Sequence, residues 1–217
     1  DKYFASEVDK YAIKVSKDNY PDIIHIGDVT KVSYSEGVLH TESGDYEVTI
    51  DLLIGGSPCQ GFSMAGKQLA FDDDRSKLYF EYERILKETK PKNFLLENVK
   101  MKQEYKDVIS ERLGVQPIAL NSKLFSAQNR YRLYWTNLTV LADIRDKEIY
   151  LPDILESEVE DKYFIKDGRL SWLKNFGEVK SKRGFIAFNP IKAKCLTVRS
   201  ELSWCTTYIV QWPQGTN

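Results

Sequence analysis

Short apolar runs alternate with amphipathic stretches through the first 140 residues of the chain. The predicted strands cover 3–6, 23–26, 52–54, 93–96, 116–120 and 133–135. The predicted helices cover 9–19, about 72–89 and 103–113, where apolar residues recur at helical spacing. Pro91 and Gly114 mark the ends of the last two helices. This order predicts an α/β fold built on a doubly wound sheet.

Two segments depart from that rhythm. Apolar and polar residues alternate along 32–50 around Ser43-Gly44-Asp45, which predicts a β-hairpin inserted between two strands of the main sheet. From about Leu141 the strand–helix alternation stops, and glycines, aromatics and lysines follow without a clear period. We therefore predict one domain over 1–140 and a small irregular lobe over 141–217.

Composition limits the classes of protein to consider. With 42% hydrophobic and 29% charged residues, the 217-residue chain is typical of a soluble globular protein. It has no apolar stretch of membrane-spanning length and no signal-peptide pattern, so we expect a cytoplasmic protein without a membrane partner. Three cysteines without metal-type spacing predict neither a disulfide framework nor a metal site.

Charge is unevenly distributed although the formal net charge is only -1. The run 143–161 holds eight acidic and two basic residues, whereas 162–199 holds ten basic and two acidic residues among several aromatics. A basic stretch with interleaved aromatics is typical of a surface that contacts phosphates. A solvated basic face paired with the acidic run explains the same pattern, and charge alone does not separate the two interpretations.

The turn after the predicted strand 52–54, a short apolar run that predicts a buried parallel strand, carries the strongest chemical signal. It reads Gly-Gly-Ser-Pro-Cys-Gln-Gly-Phe-Ser from Gly55 to Ser63 and places Cys59 at the carboxyl edge of the sheet, where open α/β folds bind ligands. A single cysteine is more often a small buried apolar residue than a nucleophile. Here the polar, glycine-rich surroundings favour a reactive thiol.

Charged residues follow several other predicted strands. Glu7 and Asp28 come at the ends of the first two strands, where a carboxylate can bind a hydroxyl or amine of a nucleotide-like ligand, although acidic residues there are also common in turns. Glu97 follows the strand 93–96, at the same sheet edge as the Cys59 turn. Gln128, Arg130 and Arg132 alternate along an extended segment, so they can share one face and bind an anion or a polar heterocycle.

Together these residues resemble the motifs of the cytosine-5 DNA methyltransferases. Gly-Ser-Pro-Cys-Gln at 56–60, Glu-Asn-Val at 97–99 and the alternating Gln, Arg and Arg at 128, 130 and 132 match three family motifs in the family's order. The resemblance covers 1 to about 137, and 194–199 resembles a segment near the end of the family's recognition domain. It is mostly to bacterial and phage members, and it implies a Rossmann-like methyltransferase sheet with a target-recognition lobe.

The resemblance implies roles for four catalytic residues. Cys59 would add to carbon 6 of a flipped cytosine, Glu97 would hydrogen-bond ring nitrogen 3 and the exocyclic amine, and Arg132 would bind the ring carbonyl. Arg130 would support this site, and the loop 60–74 would close over the base. The DNA contacts expected on the same basis are Gln60, Ser63, Gln128, Lys182, Arg183 and Arg199.

The methyl donor implied by the resemblance is S-adenosylmethionine. Glu7 would bind its ribose hydroxyls and Asp28 its adenine amine, while Val8 stands where the family often has an aromatic residue. The other residues expected to line this pocket are Val29, Pro58 and Leu78. Duplex DNA is the expected partner, and we expect a monomer.

The family's first motif and its closing motifs have no counterpart in these 217 residues. We therefore expect this chain to be the middle of a methyltransferase that lacks the central strand, binds S-adenosylmethionine weakly and has little activity by itself. The alternatives are a catalytically silent DNA-binding homologue, an RNA methyltransferase of the same subgroup and a thiol redox enzyme. The last has little support because the chain has no Cys-x-x-Cys. Membership of a restriction-modification system is left open.

Overall fold

A computed structural model of the chain describes residues 2–57, 78–140, 144–164, 168, 171, 187–188, 190–194 and 208–209. The helices are α1 (Lys10–Asn19), α2 (Leu78–Thr89) and α3 (Gln103–Leu113). The strands are β1 (Phe4–Ser6), β2 (Ile24–Gly27), β3 (Ser33–Ser35), β4 (Val38–Thr41), β5 (Gly44–Glu47), β6 (Leu52–Gly55), β7 (Asn93–Asn98), β8 (Ile118–Asn121), β9 (Gln128–Asn129), β10 (Tyr131–Thr136), β11 (Ala187–Phe188), β12 (Ala193–Lys194) and β13 (Tyr208–Ile209).

The chain divides into two compact units. The first unit comprises Asp1–Leu120 and Arg132–Val140, and the second comprises Asn121–Tyr131 and Leu141–Asn217. The second unit therefore takes in a short segment from within the predicted first domain. The assignment of catalysis to 1–140 and of target recognition to 141–217 stays a prediction.

A four-stranded mixed sheet forms the centre of the first unit, in the order β6-β7-β10-β8. β6 runs parallel to β7, and α2 lies between them in the sequence, as the βα alternation predicts. β10 runs antiparallel to β7, with Tyr134 opposite Glu97 and Leu133 opposite Asn98. The expected α/β fold is confirmed.

The core lies between this sheet and the helices α2 and α3. Leu96 and Trp135 from the strands, Tyr79 from α2 and Ile109 from α3 are fully buried, and they pack in one cluster with Tyr82. The Trp135 ring N–H donates to the Ser110 hydroxyl at 3.0 Å, so the single polar atom of this side chain is satisfied. Side chains on this face of β7 and β10 are therefore fixed by close packing.

A second, two-stranded parallel sheet joins β1 to β2, with α1 as the connection. Asp9 caps α1 by accepting hydrogen bonds from the Tyr11 and Ala12 N–H groups, both at 2.9 Å. Within the described residues β1 has only β2 as a neighbour, and β6 has only β7. The separation into two sheets fits the prediction of an incomplete Rossmann-like fold.

Two expectations about local structure were wrong. The segment predicted as a hairpin forms a three-stranded antiparallel sheet, β3-β4-β5, because Glu36 and Gly37 adopt φ values of 52° and 84° and turn the chain once more. The strand predicted to be buried, β6, leaves Leu52 46% and Ile54 62% exposed. The apolar run predicted a strand correctly, but no described element covers this part of it.

The second unit has little regular structure among its described residues. β9 pairs in parallel with β12, and β11 pairs in parallel with β13, each over two residues. Short 3-10 turns cover Ser122–Leu124, Leu151–Ile154 and Asp161–Tyr163. This agrees with the predicted loss of strand–helix alternation. No helix in the described part of the chain has the length and apolar character needed to cross a membrane.

Candidate active site

Glu97 and Arg132 form an ion pair on one face of the central sheet. Glu97 lies on β7 and Arg132 on β10, and Oε1 of the carboxylate is 2.7 Å from Nε of the guanidinium. Their side chains are 29% and 17% exposed. Because residues alternate along a strand, Leu96 and Leu133 point into the core while this pair faces away from it. The sheet thus presents an oriented acid and an oriented cation together.

The turn after β6 lies against Glu97. A Cβ added to Gly56 would be 3.3 Å from the Glu97 Oε2 atom, so the backbone passes close to the carboxylate. Asn98 is 1% exposed and its amide donates to the Ser57 hydroxyl at 3.2 Å, while its side-chain oxygen accepts from the Val99 N–H at 2.8 Å. Asn98 therefore connects the turn to the end of β7.

Asn98 is a residue whose role the sequence did not predict, although it stands beside Glu97 in a quoted motif. Tyr82 is another, because its buried ring packs on Gly55 and leaves no room for a side chain there. Burial also raises the pKa of the Tyr82 phenol well above its usual value of about 10, so the hydroxyl stays protonated at neutral pH.

Several predicted residues fall outside the described residues. They are Pro58, Cys59, Gln60, Ser63, Lys182, Arg183 and Arg199, together with all of the predicted loop over 60–74. Their roles stay predictions. The described chain stops at Ser57, two residues before Cys59, where the turn is already beside Glu97.

Glu7 and Val8 follow β1 directly. The Glu7 Oε1 atom accepts hydrogen bonds from the N–H groups of Val8 at 2.8 Å and Asp9 at 2.9 Å, so the carboxylate is oriented by its own backbone. Val8 is 70% exposed. An exposed aliphatic side chain at this position is available to contact a flat ring but has no π system to stack on it.

Asp28 is held at the end of β2, beside the end of β1, because Ser6 pairs with Gly27. Its Oδ1 atom accepts from the Thr30 N–H at 2.9 Å, and this hydrogen bond lowers the pKa of the Asp28 carboxyl. Glu7 and Asp28 thus offer two carboxylates at one edge of the small sheet. Of the remaining pocket residues, Val29 packs at the edge of the Ile26 core and Leu78 is the half-buried first residue of α2.

Glu42 is a further residue that sequence reasoning missed. Its carboxylate accepts from the Asp28 N–H at 3.2 Å and from the Lys31 ammonium at 2.6 Å. It also lies over Gly27, whose φ is +80°, so that an added Cβ would be 2.6 Å from Oε2. Glu42 therefore fixes the turn that carries Asp28. It lies 14 residues away in the sequence, and no local pattern marks it.

Gln128 and Arg130 lie in the second unit. The Arg130 N–H donates to the Asn121 side-chain oxygen at 3.1 Å. The Arg130 carbonyl accepts from the Ser122 N–H, also at 3.1 Å. The Gln128 carbonyl accepts from the Ser122 hydroxyl at 2.6 Å. These bonds hold the backbone that carries both side chains. The predicted common face of Gln128, Arg130 and Arg132 stays a prediction.

Comparison with known proteins extends these observations. The family model for C-5 cytosine-specific DNA methylases matches residues 1–167 of the chain. A Type II methyltransferase, M1.ScrFI of Lactococcus lactis subsp. cremoris, is 40% identical over 185 residues, which cover 76% of this chain and 45% of that protein. The Type II methyltransferase M.NlaIV of Neisseria lactamica is 39% identical over 212 residues, which cover 83% of this chain and 47% of that protein.

A phage protein and a crystal structure are also similar. The orphan methyltransferase M.SPRI of Bacillus phage SPR is 38% identical over 145 residues, covering 59% of this chain and 30% of that protein. A crystal structure described as a DNA modification methyltransferase encoded within an E. coli prophage superposes with a TM-score of 0.50 at 24% identity, covering 69% of this chain and 45% of that one. This likeness supports the fold alone.

The chain spans about half the length of the bacterial relatives described above, 45% of one and 47% of the other. The family model nevertheless covers well over half of these 217 residues and includes both Glu97 and Arg132. The resemblance seen in the motifs is therefore confirmed: the chain belongs to the C-5 cytosine-specific DNA methylase family.

Proposed function

We propose that the protein transfers a methyl group from S-adenosylmethionine to carbon 5 of cytosine in duplex DNA, through a covalent adduct with Cys59. The observation that carries the proposal is the Glu97–Arg132 ion pair beside the turn at Gly56 and Ser57. An acid and a cation next to the approach to a cysteine are the groups needed to activate a cytosine ring.

The chemistry follows from the electron demand of cytosine. The Cys59 thiolate forms a bond to carbon 6, and the ring electrons move toward nitrogen 3, where Glu97 supplies a proton or hydrogen bond. Carbon 5 becomes enamine-like and would accept the methyl group as the bond between that group and the sulfonium sulfur breaks, so that the donor leaves as a neutral thioether. A base then removes the proton from carbon 5, and the carbon–sulfur bond breaks to restore the aromatic ring and the thiolate. Arg132 stabilises the ring carbonyl oxygen throughout.

We propose that the carboxylates that follow β1 and β2 form the cofactor-binding part of the site. Both carboxylates are fixed by backbone N–H groups, and carboxylate oxygens suit the hydroxyls and the amine of a nucleoside. Glu7 would hold the ribose and Asp28 the adenine, with Val8, Val29 and Leu78 against the apolar parts. S-adenosylmethionine supplies a methyl group activated on a sulfonium sulfur.

Duplex DNA is the proposed substrate because the relatives are named type II and orphan methyltransferases and the family is defined by DNA cytosine methylation. A cytosine inside the stack is out of reach, so the base must be flipped, at a cost of a few kcal/mol. We propose that Gln60, Ser63, Gln128 and the basic positions Lys182, Arg183 and Arg199 contact the DNA.

Covalent trapping tests the proposal without knowledge of the target sequence. The full-length protein is incubated with S-adenosylmethionine and long duplexes in which 5-fluorocytosine replaces cytosine, and adducts that survive denaturant are measured. Fluorine cannot leave carbon 5 as a proton does, so the covalent complex accumulates. We expect an adduct with the wild type, none with Cys59→Ala and an adduct formed roughly 10²–10⁴-fold more slowly with Glu97→Gln.

Cys205→Ala is the matched control, because it removes a thiol for which no catalytic role is proposed. It should form the adduct at the wild-type rate. Absence of an adduct with the full-length wild type would refute the proposed function and favour the silent DNA-binding homologue. Retention of the adduct in Cys59→Ala would refute the proposed role of Cys59. Adduct formation on transfer RNA but not on duplex DNA would support the RNA methyltransferase instead.

A further inference from the structure

Lys192 is a largely buried lysine in the second unit, next to β12. Its ammonium donates hydrogen bonds to three backbone carbonyls, those of Lys123 at 2.7 Å, Ser126 at 3.3 Å and Ile149 at 2.6 Å. The side chain is only 15% exposed, and the ammonium also lies 3.8 Å from the Asp146 carboxylate. All three N–H donors of a lysine can therefore be used at once.

This arrangement is unusual for a lysine, which ordinarily extends its ammonium into water. Removing an ammonium from water is unfavourable unless hydrogen bonds and charges replace the lost solvent. Here three carbonyls, one carboxylate and the face of the Tyr150 ring, 4.8 Å from the ammonium, provide that replacement. Together these contacts form a binding site for the Lys192 ammonium.

The carbonyls bound by Lys192 belong to segments that are distant in sequence. Lys123 and Ser126 come just before β9, whereas Ile149 precedes the 3-10 turn Leu151–Ile154. Two backbone bonds reinforce the junction, from the Ala193 N–H to the Ala127 carbonyl at 2.7 Å and from the Leu151 N–H to the Ile191 carbonyl at 2.8 Å. Lys192 therefore ties together three stretches of chain around 122–126, 146–150 and 190–194.

The segment held in this way is the one that carries Gln128 and Arg130. Ser122, at the start of the bound turn, bonds to the Gln128 and Arg130 carbonyls, and Asn121 bonds to the Arg130 N–H. A movement of the turn would therefore move the backbone of both residues. Within this turn the ammonium binds the Lys123 and Ser126 carbonyls, and it joins them to the Ile149 carbonyl.

We propose that Lys192 is a positioning residue, whose ammonium holds the segment 121–130 in the conformation in which Gln128 and Arg130 serve the methyl-transfer site. The proposal rests on the proposed function, because these two side chains have their roles only if the chain acts on cytosine. It assigns to the predicted recognition region a part in the placement of catalytic groups as well as in contact with DNA.

Three variants of the full-length protein test this assignment. Lys192→Met keeps the length of the side chain but removes all of its donors, and Lys192→Arg keeps charge and donors. Lys147→Met is the matched control, since Lys147 is an exposed lysine in the same unit and its backbone N–H bond to the Leu124 carbonyl is unaffected.

The first measurement is hydrogen exchange, which needs no activity. Loss of the ammonium should raise exchange in peptides covering 121–130 by about tenfold in Lys192→Met, because a hydrogen-bonded junction is opened. Peptides covering α3 and β7 should be unchanged, and Lys192→Arg and Lys147→Met should resemble the wild type. Equal exchange in Lys192→Met and the wild type would overturn the proposal.

The second measurement separates positioning from general stability. At saturating 5-fluorocytosine DNA, adduct formation should be roughly 10- to 100-fold slower in Lys192→Met, since a displaced catalytic group loses its alignment. The Kd for DNA should stay within about threefold of the wild type, and Lys192→Arg should restore most of the rate. If the rate of adduct formation in Lys192→Met falls by no more than its affinity for DNA or its folded fraction falls, the proposal is overturned. If the wild type forms no adduct, the proposed function fails, and hydrogen exchange alone decides whether Lys192 holds the segment.

Discussion

The two halves of the predicted site are held in different ways. The strands β7 and β10, which carry Glu97 and Arg132, lie over a core in which Leu96 and Trp135 are fully buried. The strands β1 and β2, which carry the predicted cofactor residues, are joined by α1, a helix without a buried residue among its described positions. The strands that carry the catalytic pair are thus fixed by packing, whereas the cofactor carboxylates are fixed by hydrogen bonds within their own turns.

The two parts of the site should respond differently to amino-acid substitutions. A side chain over a close-packed core keeps its place as long as the core is intact, and it loses its place when the core is disrupted. A carboxylate oriented by adjacent N–H groups depends on two or three local bonds, each of which contributes about 1 kcal/mol. Substitutions of core residues beneath β7 should therefore have larger effects than substitutions in the turns after β1 and β2 or on the exposed face of α1.

The largest effect should come from removing core volume beneath the catalytic strands. Leu96→Ala should lower the free energy of unfolding by about 2–5 kcal/mol, because Leu96 is fully buried and a cavity remains. Val15→Ala on α1, where the side chain is 61% exposed, should change it by no more than about 0.5 kcal/mol. Urea unfolding of both variants measures the contrast, and losses of equal size would show that the two halves do not differ.

Local signals explain which elements the sequence predicted well. α3 was predicted at its observed bounds, and Gly114 ends it at a φ of +70°, a conformation that favours glycine. α1 begins at Lys10, one residue after its predicted start, because the Asp9 side chain caps the first N–H groups. In both cases a residue next to the helix end determines the boundary, so no tertiary information is needed.

The elements that the sequence missed depend on partners distant in the chain. β3 was overlooked because the turn before β4 has a glutamate, Glu36, at a positive φ that few residues other than glycine adopt. Of the two residues of the turn, only Gly37 is a type that predicts it. The exposure of Ile54 depends on what packs over β6, which the apolar run cannot specify. Glu42 and Asn98 act on residues 14 and 41 positions away. Their residue types are common on surfaces, so the type alone reveals neither contact.

A smaller effect is expected where the core meets the turn that leads to Cys59. Gly55→Ala should lower the free energy of unfolding by about 1–3 kcal/mol, because the new Cβ would overlap the ring of Tyr82, which is only 7% exposed. Gly168→Ala is the matched control, since no atom of the described residues lies within 4 Å of a Cβ added there. Thermal or urea unfolding of the two variants gives the comparison.

A double-mutant cycle identifies the cause of that loss. In a Tyr82→Ala background the ring is absent, so Gly55→Ala should cost much less than in the wild type, with a coupling energy of about 1–3 kcal/mol. If the cost of Gly55→Ala is the same in both backgrounds, the contact with Tyr82 is not what excludes a side chain at Gly55.

The smallest effect should be a pH-dependent one in the cofactor half, at Glu42. The hydrogen bonds from Lys31 and from the Asp28 N–H hold the pKa of the Glu42 carboxyl below its ordinary value of 4.5. A carboxyl whose pKa is lower in the folded state stabilises that state above its unfolded pKa, and this contribution is lost as the pH falls through the lowered folded pKa. Glu42→Gln should therefore be slightly less stable than the wild type near neutral pH, and the difference should disappear in acid.

Urea midpoints at a neutral pH and at a pH well below 4.5 test this expectation, with Glu47→Gln on β5 as the control because Glu47 is exposed in the same small sheet. The Glu42 carboxylate is exposed and its ion pair with Lys31 is screened by solvent, so the shift should be smaller than either of the preceding effects. A Glu42→Gln difference that persists unchanged in acid would mean that the side chain stabilises the turn at Gly27 by its shape and not by its charge.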